Sequence, residues 1–147
     1  DNARTPVQWD ASPHAGFTTG TPWLAVNPNH VEINAEAERA DPDSVFHHHR
    51  RLIALRHEDP VVALGDFTML LPDDEAVYAY TRTLDGAALL VVVNVSGEAR
   101  EVDLGDAWPL ADDGGWGSLV LGTHEASGAP ASGTALRPWA ARVHRRA

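Results

Sequence analysis

The sequence predicts a mainly β fold in which an antiparallel β-sandwich follows an irregular segment and one helix. From Val61 onward, short runs with apolar residues at alternate positions are separated by turn residues, and several such strands in succession are typical of a sandwich. Residues 88–93 are apolar without interruption, as expected of a central strand buried on both faces. Residues 1–40 show neither a helical nor an alternating apolar period, which indicates a loop.

The segment of residues 1–40 is rich in Pro, Asn and Gly and carries Trp9, Phe17 and Trp23. A long segment that holds large aromatic residues without regular structure is usually a functional loop packed on a scaffold. We therefore look for binding residues here first.

One helix is predicted after this loop. Asp41 suits the N-cap, Pro42 suits the first helical position, and Pro60 ends the helix near Glu58. Residues spaced at i, i+3, i+4 and i+7 predict one buried apolar stripe, which comprises Val45, Phe46, His49, Leu52, Ile53 and Leu55.

The predicted strands occupy residues 61–64, 66–71, 76–83, 87–94, 100–104, 116–121 and 139–145. Asp85-Gly86 and Ser96-Gly97 are turn signals between strands, and residues 127–133 are expected to form a surface loop. The period changes from helical to alternating near Pro60, so we predict two domains, residues 1–60 and 61–147.

Composition excludes several classes of function. The formal net charge is −10, which disfavours nucleic acid and anionic membrane surfaces as partners, whereas a neutral sugar is fully compatible. The longest apolar run, residues 87–93, is too short to span a bilayer. There is no Cys, which excludes thiol chemistry and Cys-based metal sites. We expect no cofactor, and a cytoplasmic protein.

The motifs in the N-terminal segment are specific. Residues 1–10 read DNARTPVQWD, residues 15–23 read AGFTTGTPW, and residues 26–29 read VNPN. This pattern resembles the loop after the last barrel strand of glycoside hydrolase family 13, in the oligo-1,6-glucosidase and α-glucosidase branch. The resemblance continues through residues 44–58 and 136–146. It implies that residues 1–60 are the end of a catalytic (β/α)8 TIM barrel, with its eighth helix, and that residues 61–147 are the C-terminal β-sandwich.

The resemblance also implies a function. Family members are retaining enzymes with a carboxylate nucleophile and a carboxyl acid/base among three carboxyl groups at the ends of barrel strands four, five and seven. All three would lie upstream of Asp1, so we expect the chain alone to be inactive. The implied parent is an α-glucosidase acting on terminal α-linked glucose of oligosaccharides, with the rest of the barrel as partner. Transglucosylating relatives of the trehalose synthase or sucrose isomerase type, and a free-standing β-sandwich binding module, remain alternatives.

Four residues of the loop are candidates for contact with substrate: Arg4, Gln8, Trp9 and His14. The planar fork of Arg4 suits sugar hydroxyls, but Asp1 and Asp10 are near in sequence, and we favour an ion pair that holds the loop. Gln8 and Trp9 suit a sugar subsite, although Trp is also a common packing anchor. For His14 a loop-stabilising hydrogen bond is favoured over a contact with substrate.

The run His47-His48-His49 invites a metal hypothesis. Consecutive helical residues point about 100° apart, whereas ligands on one helix need i, i+4 spacing. The acidic pairs Asp73-Asp74 and Asp112-Asp113 lack the ligand spacing of a calcium loop. The sequence therefore predicts no metal site.

Overall fold

A computed structural model describes residues 4–112, 114–124 and 134–146. The loop predicted at residues 127–133 lies outside these ranges, as do Asp1 and Asp113. The chain divides into two compact units, Asp1–Ile53 and Ala54–Ala147, and the domain boundary near Pro60 stays a prediction. Within the described ranges, every helix is too short or too polar to cross a bilayer.

The first unit contains more regular structure than the sequence predicts. Two 3₁₀ turns, Pro13–Gly16 and Pro28–Val31, precede a short helix, α1, at Ala35–Ala40. The prediction of a loop throughout residues 1–40 is therefore wrong at its end. Asn34 begins α1 because its side-chain oxygen accepts the N–H of Ala37 at 2.9 Å, which satisfies a donor that a helix N-terminus leaves unpaired.

The second helix, α2, spans Val45–Glu58. It begins later than predicted, because the Asp41 carboxylate accepts the N–H of Asp43 in a turn at 2.9 Å and Ser44 provides the cap instead. The Ser44 hydroxyl accepts the N–H of His47 at 3.4 Å. The predicted end before Pro60 is confirmed.

The apolar stripe of α2 is not buried in this structure. Val45 is 69% exposed and Ile53 is 55% exposed, and Phe46 and Leu52 are exposed as well. The prediction of one buried stripe is therefore wrong for these four side chains and for His49, which is exposed as well, while Leu55 is partly buried.

Residues 61–64 were predicted as a strand but form part of a third helix, α3, at Pro60–Leu64. The Asp59 carboxylate accepts the N–H of Val61 at 3.0 Å, and Pro60 takes the first helical position. This cap outweighs the strand preference of Val61 and Val62. Gly65 ends α3, where a Cβ would lie 2.5 Å from the Val61 carbonyl oxygen.

The remaining elements are mostly strands. β1 spans Asp66–Met69, β2 Val77–Leu84, β3 Ala87–Asn94, β4 Arg100–Glu101, β5 Ser118–Gly122, β6 Ala135–Leu136 and β7 Ala141–Arg146, with a 3₁₀ turn at Gly105–Ala107 between β4 and β5. β3 has the predicted bounds. β4 is shorter than predicted, and β6 was not predicted.

These strands form an antiparallel five-stranded sheet in the order β1-β2-β3-β7-β5 and a separate β4-β6 pair. The central place predicted for β3 is confirmed. Val77 pairs with Asn94 and Leu84 with Ala87, and the intervening turn has positive φ at Asp85 and Gly86, as a tight hairpin requires. The chain is thus a mixture of helix and antiparallel sheet.

The core of the second unit lies on one face of the large sheet. Alternate residues of β2 and β3 are buried there together with Trp108, Trp116 and Leu136. The Trp108 Nε1–H donates to the Trp116 carbonyl at 2.9 Å. Because this core takes residues from both sheets, the second unit has its own hydrophobic centre.

Candidate functional site

Gln8 and Trp9 are held in place by their backbone. The carbonyl of Gln8 accepts the N–H of Ala35 at 2.9 Å, and that of Trp9 accepts the N–H of Glu36 at 3.0 Å. Both donors belong to the first turn of α1, where N–H groups have no partner within the helix. The QW pair of the motif therefore completes the N-terminus of α1.

The Gln8 side chain is a second connection. Its amide nitrogen donates to Asn29 Oδ1 at 3.0 Å and to the Ile33 carbonyl. Asn29 lies in the VNPN motif, and the Asn27 side chain caps the 3₁₀ turn there by accepting the Asn29 N–H. The amide donors of Gln8 are thus engaged in joining two motifs that are distant in sequence.

Trp9 and Asp10 are joined to the following turn. The N–H groups of both residues donate to the Ala15 carbonyl, at 2.9 and 3.3 Å. Ala15 is completely buried and has a φ of 57°, and its neighbours His14 and Gly16 also have left-handed backbones, with φ of 60° and 64°. Left-handed conformations are costly for residues other than Gly, so this turn is maintained by the contacts around it.

Position 16 requires Gly, because the Asp10 carboxylate lies too close to leave room for a side chain. A Cβ at this position would lie 2.5 Å from an oxygen of the Asp10 carboxylate. The same carboxylate accepts hydrogen bonds from the hydroxyl and the N–H of Ser12, the latter at 2.8 Å. The Ser12 hydroxyl is the main cause of a lowered pKa of Asp10, followed by the Ser12 N–H, with a contribution from His30. Asp10 is therefore a carboxylate at neutral pH.

Arg4 contacts the ring of Trp23, which is not one of the four candidate residues. Its guanidinium carbon lies 5.8 Å from the centre of the Trp23 ring, within the range of a cation–π interaction. Trp23 is 79% exposed. The ion pair expected for Arg4 involves Asp1, which lies outside the described residues, or Asp10, and it stays a prediction. In the sequence, Trp23 is marked only by its place in the motif of residues 15–23.

The four candidate residues are thus only partly brought together. Gln8 and Trp9 are adjacent, and Trp9 is hydrogen-bonded to the turn that contains His14. The His14 carbonyl accepts the N–H of Phe17 at 3.1 Å, and the role of the His14 ring stays a prediction. Trp9 is 54% exposed and lines an open groove of about 840 Å³ together with Asp10, Ala35, Glu36, Arg39, Ala40 and Phe46.

The histidines of α2 have separate surroundings. His47 Nε2 lies 3.0 Å from the Arg39 carbonyl, and its ring meets the ring of Phe46 edge to face at 5.1 Å. Burial, with nearby Arg51 and His49, lowers the pKa of His48. Among the described residues, no three His, Asp or Glu side chains are placed to bind one metal ion.

Comparison with known protein families divides the chain in two. Residues 1–65 match the alpha-amylase catalytic domain, and residues 67–126 match the C-terminal domain of maltogenic amylase.

Individual relatives match almost the whole chain. An oligo-1,6-glucosidase from Parageobacillus thermoglucosidasius is 42% identical over 146 residues, which is 99% of this chain and 25% of that protein. A trehalose-6-phosphate hydrolase from Bacillus subtilis is 41% identical, with the same two coverages. The chain therefore spans about a quarter of the length of these relatives.

Solved structures give the same result. The trehalulose synthase MutB from Pseudomonas mesoacidophila is 43% identical, with a TM-score of 0.81 over 98% of this chain and 25% of that chain. A variant of MutB in complex with Tris reaches a TM-score of 0.86 at 44% identity, covering 99% of this chain and 26% of that chain. The chain belongs to glycoside hydrolase family 13, the alpha-amylase family.

Proposed function

We propose that this chain is the C-terminal portion of a retaining α-glucosidase that removes terminal α-linked glucose from oligosaccharides. The observation that carries the proposal is the match to oligo-1,6-glucosidases over 98 to 99% of the chain. The match includes the loop in which Gln8 and Trp9 are held against α1. Residues 1–60 end the catalytic barrel, and residues 61–147 form the C-terminal sandwich.

In this proposal the chemistry lies outside the chain. A retaining glycosidase needs a nucleophilic carboxylate and an acid/base carboxyl about 5 Å apart, and both belong to barrel strands upstream of Asp1. The loop of residues 1–40 forms part of the surface that surrounds the substrate. We assign Arg4 and Trp9 mainly to holding this surface and only secondarily to touching sugar, while Gln8 and His14 stay candidate contacts.

The exposed apolar residues of the first unit support a covering partner. Trp23, Val45 and Ile53 are each more than half exposed, and so large a set of exposed apolar side chains is unusual for a surface that stays in water. We assign the rest of the catalytic barrel as the partner that covers them. We also propose that the enzyme acts in the cytoplasm and requires no cofactor.

The test compares the chain with the product of the full open reading frame that encodes it. The longer product is expected to hydrolyse isomaltose and p-nitrophenyl α-glucoside, whereas the 147-residue chain turns over neither. With p-nitrophenyl α-glucoside as substrate, proton NMR of the first-formed anomer reports retention. Turnover by the purified chain, or first-formed β-glucose from p-nitrophenyl α-glucoside, contradicts the proposal.

A transglucosylating enzyme is the second candidate, because the MutB structures are as similar to this chain as the glucosidases are. Sucrose as sole substrate separates the two functions. A glucosidase yields glucose and fructose, whereas a sucrose-isomerising enzyme yields a disaccharide isomer. A free-standing binding module is less favoured, because its function does not require the barrel motif of residues 1–10.

Arg4→Ala in the full-length enzyme tests the structural role of the loop. Arg4 is exposed and its guanidinium lies over the exposed ring of Trp23. Loss of this contact lowers stability by no more than about 1 kcal/mol, and we expect the melting temperature and the activity to fall together. Unchanged stability with a raised KM or a lowered kcat instead places Arg4 in the substrate site.

A further inference from the structure

Trp139 is the one aromatic residue with a left-handed backbone among the residues of the second unit that the structure describes. Its φ is 59°, in the left-handed region that bulky side chains rarely adopt. The Ala140 N–H donates to the Arg137 carbonyl at 3.2 Å, so Pro138 and Trp139 are the central residues of a β-turn. Pro followed by a left-handed residue is the pattern of a type II turn, whose third position normally requires Gly or Asn.

The side chain at this strained position is largely in solvent, because Trp139 is 65% exposed. The ring lies close to Gly97: a Cβ added to Gly97 would be 3.9 Å from Cζ2 and 4.0 Å from Nε1 of Trp139. The edge of the indole that carries Nε1 and Cζ2 therefore lies beside Gly97. Burial in the core does not explain why the turn retains a Trp here.

The turn is nevertheless rigidly supported. Asn94 is 1% exposed, and its side-chain nitrogen donates to the carbonyls of Glu98 at 2.7 Å and Arg137 at 2.9 Å. Its side-chain oxygen accepts the N–H of Ser96 at 3.0 Å and the Ser96 hydroxyl at 2.7 Å. This single buried side chain joins the turn after β3 to the turn before β7.

A further bond connects the two turns directly, since the Trp139 N–H donates to the Ser96 carbonyl at 3.1 Å. Strain that persists on a well-supported exposed turn points to function rather than to packing. Preorganised aromatic groups on rigid elements bind with little loss of conformational entropy.

The surroundings indicate the class of ligand. Trp139 contacts Ser96 and Gly97, and the same loop carries the ion pair between Glu98 and Arg100, whose side chains are 3.3 Å apart. A flat apolar ring on a turn next to hydrogen-bonding side chains suits a pyranose, which has apolar C–H faces and hydroxyl groups around its edge.

We propose that Trp139 forms a sugar-binding site on the C-terminal unit, in which a glucosyl unit of an oligosaccharide stacks on the free side of the indole. The choice of glucosyl ligand rests on the proposed function, whereas the site itself rests on the geometry of the turn. This site retains oligosaccharide on the protein and takes no part in bond cleavage.

The test is a titration of the ¹⁵N-labelled full chain with isomaltotriose, with maltotriose as a second α-linked probe, followed by amide and indole NMR signals. We expect saturable shifts at Gly97, Ser96 and Trp139. Trp139→Asn removes the ring, and Asn tolerates the left-handed backbone. This variant is expected to bind about tenfold or more weakly while its melting temperature stays unchanged or rises.

Two further variants complete the test. Trp139→Tyr keeps an aromatic face and is expected to retain binding, and Leu110→Ala, which removes another exposed apolar side chain of the same unit, is the matched control with unchanged shifts. Absence of shifts in the unmodified chain overturns the proposal. So does binding that survives in Trp139→Asn, or a lower melting temperature of that variant, which assigns the ring to packing. Because the titration measures binding alone, its outcome is independent of hydrolysis by the full-length product.

Discussion

The two units of this chain are ordered by different interactions. In Ala54–Ala147 a core of Trp, Leu and Val side chains lies on one face of a five-stranded sheet. In Asp1–Ile53 the large apolar side chains are mostly exposed, and the backbone is held by hydrogen bonds among motif residues, such as those from Trp9 and Asp10 to Ala15. The same chain thus combines a unit stabilised by apolar burial with a unit stabilised by polar connections.

The two units therefore obtain their stability from different sources. Hydrogen bonds contribute modestly in net terms, whereas burial of apolar surface is the dominant favourable term in folding. We therefore expect the second unit to fold by itself and residues 1–40 to gain stability from a covering partner. Limited proteolysis of the isolated chain is expected to cut before Asp41 first, and early cleavage within residues 77–95 contradicts this expectation.

The largest effect is expected from Trp116→Ala. Trp116 is completely buried, and its ring meets the ring of His144 edge to face at 5.5 Å. Removal of so large a buried side chain costs about 3–5 kcal/mol. The matched variant in the first unit is Trp23→Ala, which loses an exposed ring over Arg4 and costs no more than about 1 kcal/mol. Urea denaturation followed by circular dichroism measures the free energy of unfolding of both variants. Equal losses of stability would show that apolar burial does not distinguish the two units.

Asn94→Ala tests the polar support inside the second unit. Four hydrogen bonds of the Asn94 side chain are lost, and the Arg137 and Glu98 carbonyls lose a donor. We expect destabilisation by about 1–3 kcal/mol, because unsatisfied buried polar groups are costly. Asn94→Asp keeps the acceptor oxygen, but it loses the donors and buries a charge next to the Glu98 and Arg137 carbonyls, so we expect it to destabilise the unit more than Asn94→Ala does. A variant as stable as the original chain shows that the network contributes nothing.

Gly16→Ala makes the corresponding test in the first unit. The added methyl group meets the Asp10 carboxylate at 2.5 Å, and φ at this position is 64°. We expect a loss of about 1–3 kcal/mol in local stability, visible as faster amide exchange at Trp9 and Asp10. Gly86→Ala is the control, because φ there is 86° but the added Cβ has nothing within 4 Å. Equal losses of local stability in the two variants would show that the left-handed backbone causes the whole loss and that the contact with Asp10 causes none of it.

The sequence predicts correctly those elements that are determined by residues only a few positions away. The β2-β3 hairpin follows from the alternating residues and from Asp85-Gly86, and the end of α2 follows from Pro60, because each signal lies within a few residues of the element it determines. The family resemblance identified the loop from its motifs. Gln8 and Trp9 were selected in this way, although their partners Asn29 and Ala35 were not.

The failures have a common physical cause, which is an interaction that period and propensity do not encode. Residues 61–64 form α3 because Asp59 caps them, and Asp59 is in turn paired with Arg145 from β7. The left-handed turn at His14 and Ala15 depends on hydrogen bonds from Trp9 and Asp10. Trp23 was missed because its contact with Arg4 spans two motifs. An Asp-Pro cap is visible in the sequence at both Asp41-Pro42 and Asp59-Pro60, but only the structure shows that a helix begins directly at the second of them. Contacts between motifs are visible only in three dimensions.

The smallest effect is expected from a matched pair of exposed carboxylates, Asp10 and Asp74. The pKa of Asp74 is lowered from 3.8 mainly by the N–H groups of Ala76 and Val77, and that of Asp10 mainly by the Ser12 hydroxyl. A carboxyl with a lowered pKa in the folded state stabilises that state fully above its unfolded pKa. This contribution disappears as the pH falls through the lower folded value.

We therefore expect Asp74→Asn to lower the melting temperature of the second unit at pH 7, with a difference from the unmodified chain that shrinks as the pH falls below 3.8. Asp10→Asn leaves that melting temperature unchanged and instead speeds amide exchange at Ser12, again only above this pH range. Asp73→Asn, one residue from Asp74, controls for the change in net charge. If the difference in melting temperature between Asp74→Asn and the unmodified chain stays constant from pH 7 to acid pH, the Asp74 carboxylate is not its cause. If Asp10→Asn changes the melting temperature of the second unit, Asp10 does not act within the first unit alone.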